Sequence, residues 1–373
     1  MKRKWITPAL AAALLLGVVA GLGYLWLTKR GPSLTVATWS GTYGRAQING
    51  QVLPFAQVTH ADVIIKPYDG GTDELAKQVS SGQYLWDVVD LEQPDAVSAC
   101  SRGLLEKLDL AALPAGSGGT PAAEDFVPGS MGPCWVASVV YSQVIAYNPH
   151  LALSNAGHIP TSLADFFDTA DFPGKRAIDR TSAKLNLELA LLADGVKPRD
   201  VYTTLSAPQG VARALAKLDT IRPDLIWWTD SAEPAKMLAD GRTAYATMPN
   251  WAVFDADTQN AGPKLGIIWD RQLYEVEVLG IPKGDPRRPL AMDYIRYVTL
   301  APQLARMSSW AAFGPARKSA LSMVRENPEL RISMMPYLPT AHFDTAFAVD
   351  DGWWRLHGAD IERLWQAWLA KGR

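Results

Sequence analysis

A chain of 373 residues with 48% hydrophobic and 20% charged side chains has the composition of a globular protein and the length of two domains rather than one. Its formal net charge of -2, with no basic stripe, excludes the electrostatic footprint of a nucleic-acid-binding protein. The five His are scattered without ligand spacing to a Cys or to a paired carboxylate, so no metal site and no cofactor is expected.

The amino terminus carries Lys2, Arg3 and Lys4, an apolar run from Trp5 to Leu27, and then Lys29 and Arg30. Residues 1–30 therefore read as a cleaved signal peptide or a retained membrane anchor, and these two remain open. Either one, with the basic cluster held inside, places the rest of the chain outside the cytoplasm. In that oxidising compartment the lone pair Cys100 and Cys134 is read as a disulfide, with two buried thiols as the alternative.

Leu34, Val36 and Ala37 form a short β-prone run that Gly41 and Gly44 interrupt, leaving Trp39, Ser40 and Tyr43 on the turn. Side chains at the carboxyl end of a strand face a crevice in open α/β sheets, so these groups suggest a binding site; a core Trp at a strand end is the alternative. Residues 49–58 read as a helix, and ADVIIKPYDGGTDELAKQVSSG as strand, turn and helix, an alternation that points to parallel sheets. A second buried strand, 86–91, ends in Asp90, Glu92 and Gln93 before a helix near Pro94. The acids there are either solvated loop carboxylates or part of the site.

The run Cys134 to Asn148 is a long strand, and Asn148-Pro149 marks a passage from one lobe to another. A strand at 176–178 and an apolar helix at 186–192 follow. Aromatics recur at later strand ends, as Trp227 and Trp228 and as Trp251. Glu275 and Glu277 alternate along a run returning to the first lobe and share a face, either toward ligand or on a solvated edge strand. A terminal helix is expected from about Asp360 to Lys371, with Trp353, Trp354, Trp365 and Trp368 as packing residues.

In order, the segments ATWSGTY, YLWDVVDLEQPDA, GLLEKLDLAALP, VIAYN, FPGKRAID, PDLIWWTDSAEPAKMLADG, VEVLGIPKG and FGPARKSA resemble the periplasmic substrate-binding proteins of ABC transporters, in particular the spermidine/putrescine-binding type. The resemblance implies an α/β, two-lobe periplasmic-binding-protein fold (type II), each lobe a mainly parallel sheet flanked by helices, joined by hinge crossovers that close on a ligand. It assigns residues 33–145 plus 279–318 to one lobe and 146–278 plus 319–373 to the other. The family's ligand-binding positions fall on Trp39, Ser40, Tyr43 and Glu277, with Trp251 and Phe313 as nearest replacements for a Trp and a Tyr. An acidic pair that the family carries in the second lobe would lie near Ser182 to Leu185, where this chain has no acid.

Independently of the resemblance, indole and phenol faces attract ammonium groups by ~0.5 to 2 kcal/mol each, and carboxylates add charge-assisted hydrogen bonds. Trp39, Tyr43, Trp228 and Trp251 with Glu92 and Glu277 would make such a cage. The expected ligand is a polyamine or another organic cation, and the expected partners are the membrane permease subunits of an importer, met by a monomer in the periplasm. No catalytic residue is assigned: GxSxG, HExxH, P-loop and GxGxxG patterns are absent in context. A sensor of the same fold, an importer component for another small polar solute and, remotely, a secreted hydrolase are the alternatives.

Overall fold

The computed structural model describes residues 31–259 and 263–371. The amino-terminal segment read as a signal or anchor lies outside them. Among the described residues no helix is long and apolar enough to cross a membrane. Eight strands carry the architecture: β1 (Ser33–Thr38), β2 (Asp62–Pro67), β3 (Val88–Glu92), β4 (Trp135–Tyr147), β5 (Arg176–Asp179), β6 (Leu225–Trp228), β7 (Tyr245–Pro249) and β8 (Gly266–Gly280). They join in the order β2-β1-β3-β8-β4-β7-β5-β6.

Each end of this sheet is parallel and helix-covered, as crossover helices require. β1 pairs in parallel with β2 and β3, and β5 in parallel with β6 and β7. The long strands β4 and β8 run antiparallel to each other between the two ends, so the chain crosses twice along the same ladder. One apolar core gathers Leu34, Val36, Val88, Leu91 and Val136 with Tyr274 to Ile281 and Tyr294 to Leu304. A second gathers Ile145, Phe166, Leu187 and Tyr245 with Leu273 and Trp365. The cores meet on β8 between Leu273 and Tyr274. This is the α/β fold the sequence implied, with strands flanked by helices, though the sheet is mixed rather than mainly parallel because β4 and β8 run antiparallel to their neighbours.

Two local expectations are corrected and one open alternative is removed. The first helix does not begin at residue 49: helical backbone starts at Gly41 and continues through Thr59, with a wider turn over Ile48–Val52. Gly41 has φ of 72°, which lets β1 turn into the helix, and a Cβ on Gly44 would lie 2.4 Å from the Trp39 carbonyl oxygen. Glycines that resemble a loop in sequence are here the first turn of a helix. The terminal helix spans Asp351–Ala370, starting nine residues before Asp360, because the Asp350 side chain accepts from the Trp353 amide and caps it. Lastly, β8 lies mid-sheet, so Glu275 and Glu277, 8% and 7% exposed, are not solubilising charges on an edge.

Cys100 and Cys134 form a disulfide, with Cα atoms 5.8 Å apart, that ties the helix Gln93–Ser101 to the start of β4. It closes a loop of sequence separation 34, which contributes about 3 to 4 kcal/mol on the chain-entropy model. The double variant Cys100→Ser/Cys134→Ser should therefore unfold in urea with that much less stability and with a larger m-value, because its unfolded chain exposes more surface. An unchanged midpoint would contradict a cross-link that restricts the unfolded chain.

Candidate functional site

A cavity of about 850 Å³ opens where β1, β3, β4 and β8 leave the sheet. Seven of the eight side chains singled out from sequence line it: Trp39, Ser40, Tyr43, Glu92, Trp251, Glu277 and Phe313. Their convergence follows from the topology. Trp39 and Ser40 sit at the junction of β1 and the first helix, Glu92 ends β3, Glu277 lies on β8, and Trp251 opens the helix Asn250–Gln259 after β7. Phe313 lies beyond the helix Ala301–Trp310 and packs edge-on against Tyr43, ring centroids 5.0 Å apart. Trp39, Tyr141 and Trp251 pack around the apolar cluster that Tyr43, Val139, Met307 and Phe313 form.

Trp228 is the exception. It ends β6 at the far edge of the sheet and is buried with Met237, Leu238 and Met248, away from the cavity. Its strand lies at the end of the sheet opposite the one that carries Trp39 and Tyr68, and the sequence does not reveal strand order.

The floor is acidic. In the antiparallel pairing of β3 with β8, Glu92 stands directly opposite Glu277. Like charges so placed destabilise a sheet. The Trp39 indole donates to Glu277 Oε2 at 3.1 Å, and this bond favours the carboxylate. Burial outweighs it, and together with the charges of Asp90 and Glu92 it raises Glu277 well above the usual carboxyl range. Glu92 keeps one side open to solvent, yet the protein packed around its carboxyl and the like charge of Glu275 raise it as well.

Beneath the floor Asp90 is fully buried. Its Oδ2 accepts from Tyr43 Oη and Gln47 Nε2, both at 2.7 Å, and from Thr38 Oγ1 at 3.4 Å, while Oδ1 has no partner. Burial raises its pKa to about 7 against the pull of these bonds. Burial and mutual charge thus push both Asp90 and Glu277 toward their protonated forms.

Several lining residues had no separate reading from sequence: Tyr68, Tyr141, Phe254 and Asp255. Tyr68 follows β2 as Trp39 follows β1, and the two rings meet edge-on at 4.9 Å; the strand-end pattern that marked Trp39 could have marked it. Tyr141 lies opposite Glu275 across the β4/β8 ladder, which only the register reveals. Among the described residues no group of three or more His, Cys, Asp or Glu could hold a metal ion. The arrangement has no nucleophile paired with a base; it offers aromatic faces, hydroxyls and carboxylates, the means of binding a cationic group.

Residues 51–332 match the model of the bacterial extracellular solute-binding proteins. The chain belongs to this family. It works as a binding protein rather than an enzyme, and outside the cytoplasm. It is 36% identical over 339 residues, 91% of each chain, to a gamma-aminobutyric acid-binding protein of Pseudomonas aeruginosa strain PAO1. Among solved structures, an ABC transporter substrate-binding protein from Bradyrhizobium japonicum USDA 110 superimposes with a TM-score of 0.75 at 26% identity, over 90% of this chain and 99% of that one. A gamma-aminobutyric acid receptor does so with a TM-score of 0.72 at 29% identity, over 90% and 97%.

The raised carboxyl groups have a consequence for the empty protein. The folded state keeps a proton on Asp90 that the unfolded chain, with its ordinary carboxyl near 3.8, releases at lower pH. The contribution of Asp90 to stability is thus fully present at acid pH and is lost as pH rises from about 4 to about 7. Thermal melting of the ligand-free protein across this window should show a decline that Asp90→Asn reduces by the Asp90 share, leaving the slope set by the other raised carboxyls Glu188, Glu277, Asp285 and Asp351. An identical slope in the variant would place the titration elsewhere.

Proposed function

We propose that this solute-binding protein captures a small amino acid whose ammonium and carboxylate are separated by a short apolar chain, of the gamma-aminobutyric acid kind, and presents it to the permease of an ABC importer. Two relatives named for gamma-aminobutyric acid, each aligned over nine-tenths of this chain, support the solute class. The ABC importer is read from the Bradyrhizobium protein. Another small polar solute, the alternative to a polyamine in the sequence reading, fits these relatives better than a polyamine does.

The observation that carries the reading is the opposed pair Glu92 and Glu277 beside the indole of Trp39. An ammonium set between them removes the repulsion and takes the place of the proton. Trp39, Tyr68 and Tyr141 supply the surrounding ring faces. The carboxylate end is assigned to the first helical turn, where Ser40 Oγ makes no capping bond and the amides at the start of the helix lack intrahelical partners. Trp251, Phe254 and Phe313 cover the alkyl chain.

About 850 Å³ is ample for so small a ligand, so the two lobes, 33–145 with 279–318 and 146–278 with 319–373, close to exclude water, bending where β4 and β8 cross. Closure brings Trp251 and Asp255 toward Trp39 and Ser40.

Isothermal titration calorimetry with gamma-aminobutyrate tests this directly. A hydrogen bond to a charged group contributes ~1.5 to 3 kcal/mol, so Glu277→Gln, which keeps the shape and removes the charge, should weaken binding roughly ten- to a hundredfold. Trp39→Ala should also weaken it. Parent-like affinity in Glu277→Gln would show that the ammonium sits elsewhere.

A further inference from the structure

The acidic floor does not end at Glu277. Residues two apart on a strand share a face roughly 7 Å apart, so Glu275 stands one such step away, beside Tyr141. Its carboxylate is not free. Lys184, just before the helix Asn186–Ala193, pairs with Glu275 and donates to Asp351 Oδ1 at 2.7 Å. Glu275 and Asp351 are 8% and 4% exposed, and the Lys184 side chain is 22% exposed.

Burial alone would lower the Lys184 pKa, but the charges of Glu275 and Asp351 overcome it and keep the ammonium charged. Glu92, on the cavity rim, feels this group too: Glu275 raises its pKa and Lys184 lowers it. Behind the cavity-lining Glu92, Tyr141 and Glu277, the protein therefore seats an ammonium of its own between two carboxylates that do not themselves line the cavity, next to the strand position two residues from Glu277.

Resting on the amino-acid reading above, we infer that Lys184 acts as a built-in second ammonium: it fills the Glu275–Asp351 end of the acidic floor and restricts the cleft to ligands with one cationic group. A diamine anchored at Glu277 would drive its far nitrogen toward the Lys184 ammonium and find both carboxylates engaged. An amino acid with a single ammonium meets no such conflict. Specificity then comes from a repulsive element as much as from attractive contacts.

The test compares gamma-aminobutyrate and 1,4-diaminobutane by calorimetry and ligand-induced thermal shift on the parent, Lys184→Arg and Lys184→Met. The parent and Lys184→Arg should discriminate against the diamine. Lys184→Met should bind it at least tenfold more tightly than the parent does, its second nitrogen replacing Nζ. Because Lys184→Met leaves two buried carboxylates without a cation, Lys184→Met/Asp351→Asn provides a variant with one, and the same gain is expected there. A purely structural lysine would lower stability without changing the ratio of the two affinities. Unchanged diamine binding in both variants, or tight diamine binding by the parent, overturns the inference. If the parent fails to bind gamma-aminobutyrate, the proposed solute class fails, and the diamine comparison still judges Lys184.

Discussion

Asp90 and Glu277 are buried carboxyl groups on the neighbouring strands β3 and β8, with Glu92 directly opposite Glu277, and the design of the site depends on their repulsion. A sheet interior tolerates such a set only with a proton or a cation among them. The hydrogen bonds from Tyr43, Gln47 and Thr38 fix Asp90 from one side, and the Trp39 indole fixes Glu277 from the other. Residues from β1, the first helix, β3 and β8 thus meet in one charge cluster. In the proposed reading, a ligand ammonium relieves the repulsion within this cluster.

The rest of the fold bears this cost. Two apolar cores flank the crossing strands, and the disulfide fastens the helix after β3 to the start of β4, next to the segment that carries Glu92. In the proposed closure, small changes at the floor become a change in lobe separation. The Lys184 ion pairs engage Glu275, two residues along the same strand from the cavity-lining Glu277, and Asp351. Charge balance along a single strand, from Glu275 to Glu277, therefore links the protein's internal cation to the group it binds.

Much of this was legible in the residue order. The alternation of strand and helix announced an α/β fold, and groups at strand ends, Trp39, Ser40 and Glu92, pointed toward the crevice. Glu275 and Glu277 could be seen to share a face, but not that their strand is central. Trp228 shows where such reasoning fails: it satisfies the same strand-end pattern as Trp39, yet β6 lies at the far edge. Asp90 is two residues from Glu92, but its three donors come from residues 38 to 47, a clustering that tertiary contact creates. Lys184 was the hardest to see, because its partners lie 91 and 167 residues away. Propensity and spacing report on local structure, whereas ion pairs in a cleft are set by which elements the fold brings together.

The exchange of a proton for a ligand ammonium can be measured directly. Calorimetric titration of the protein with gamma-aminobutyrate at pH near 7, repeated in buffers of differing ionisation enthalpy, gives the number of protons released on binding. A net release, at most one proton per ligand and lost in Asp90→Asn, is the expected result. Binding with no buffer dependence, or with proton uptake, would contradict the central role assigned to the buried carboxyl pair.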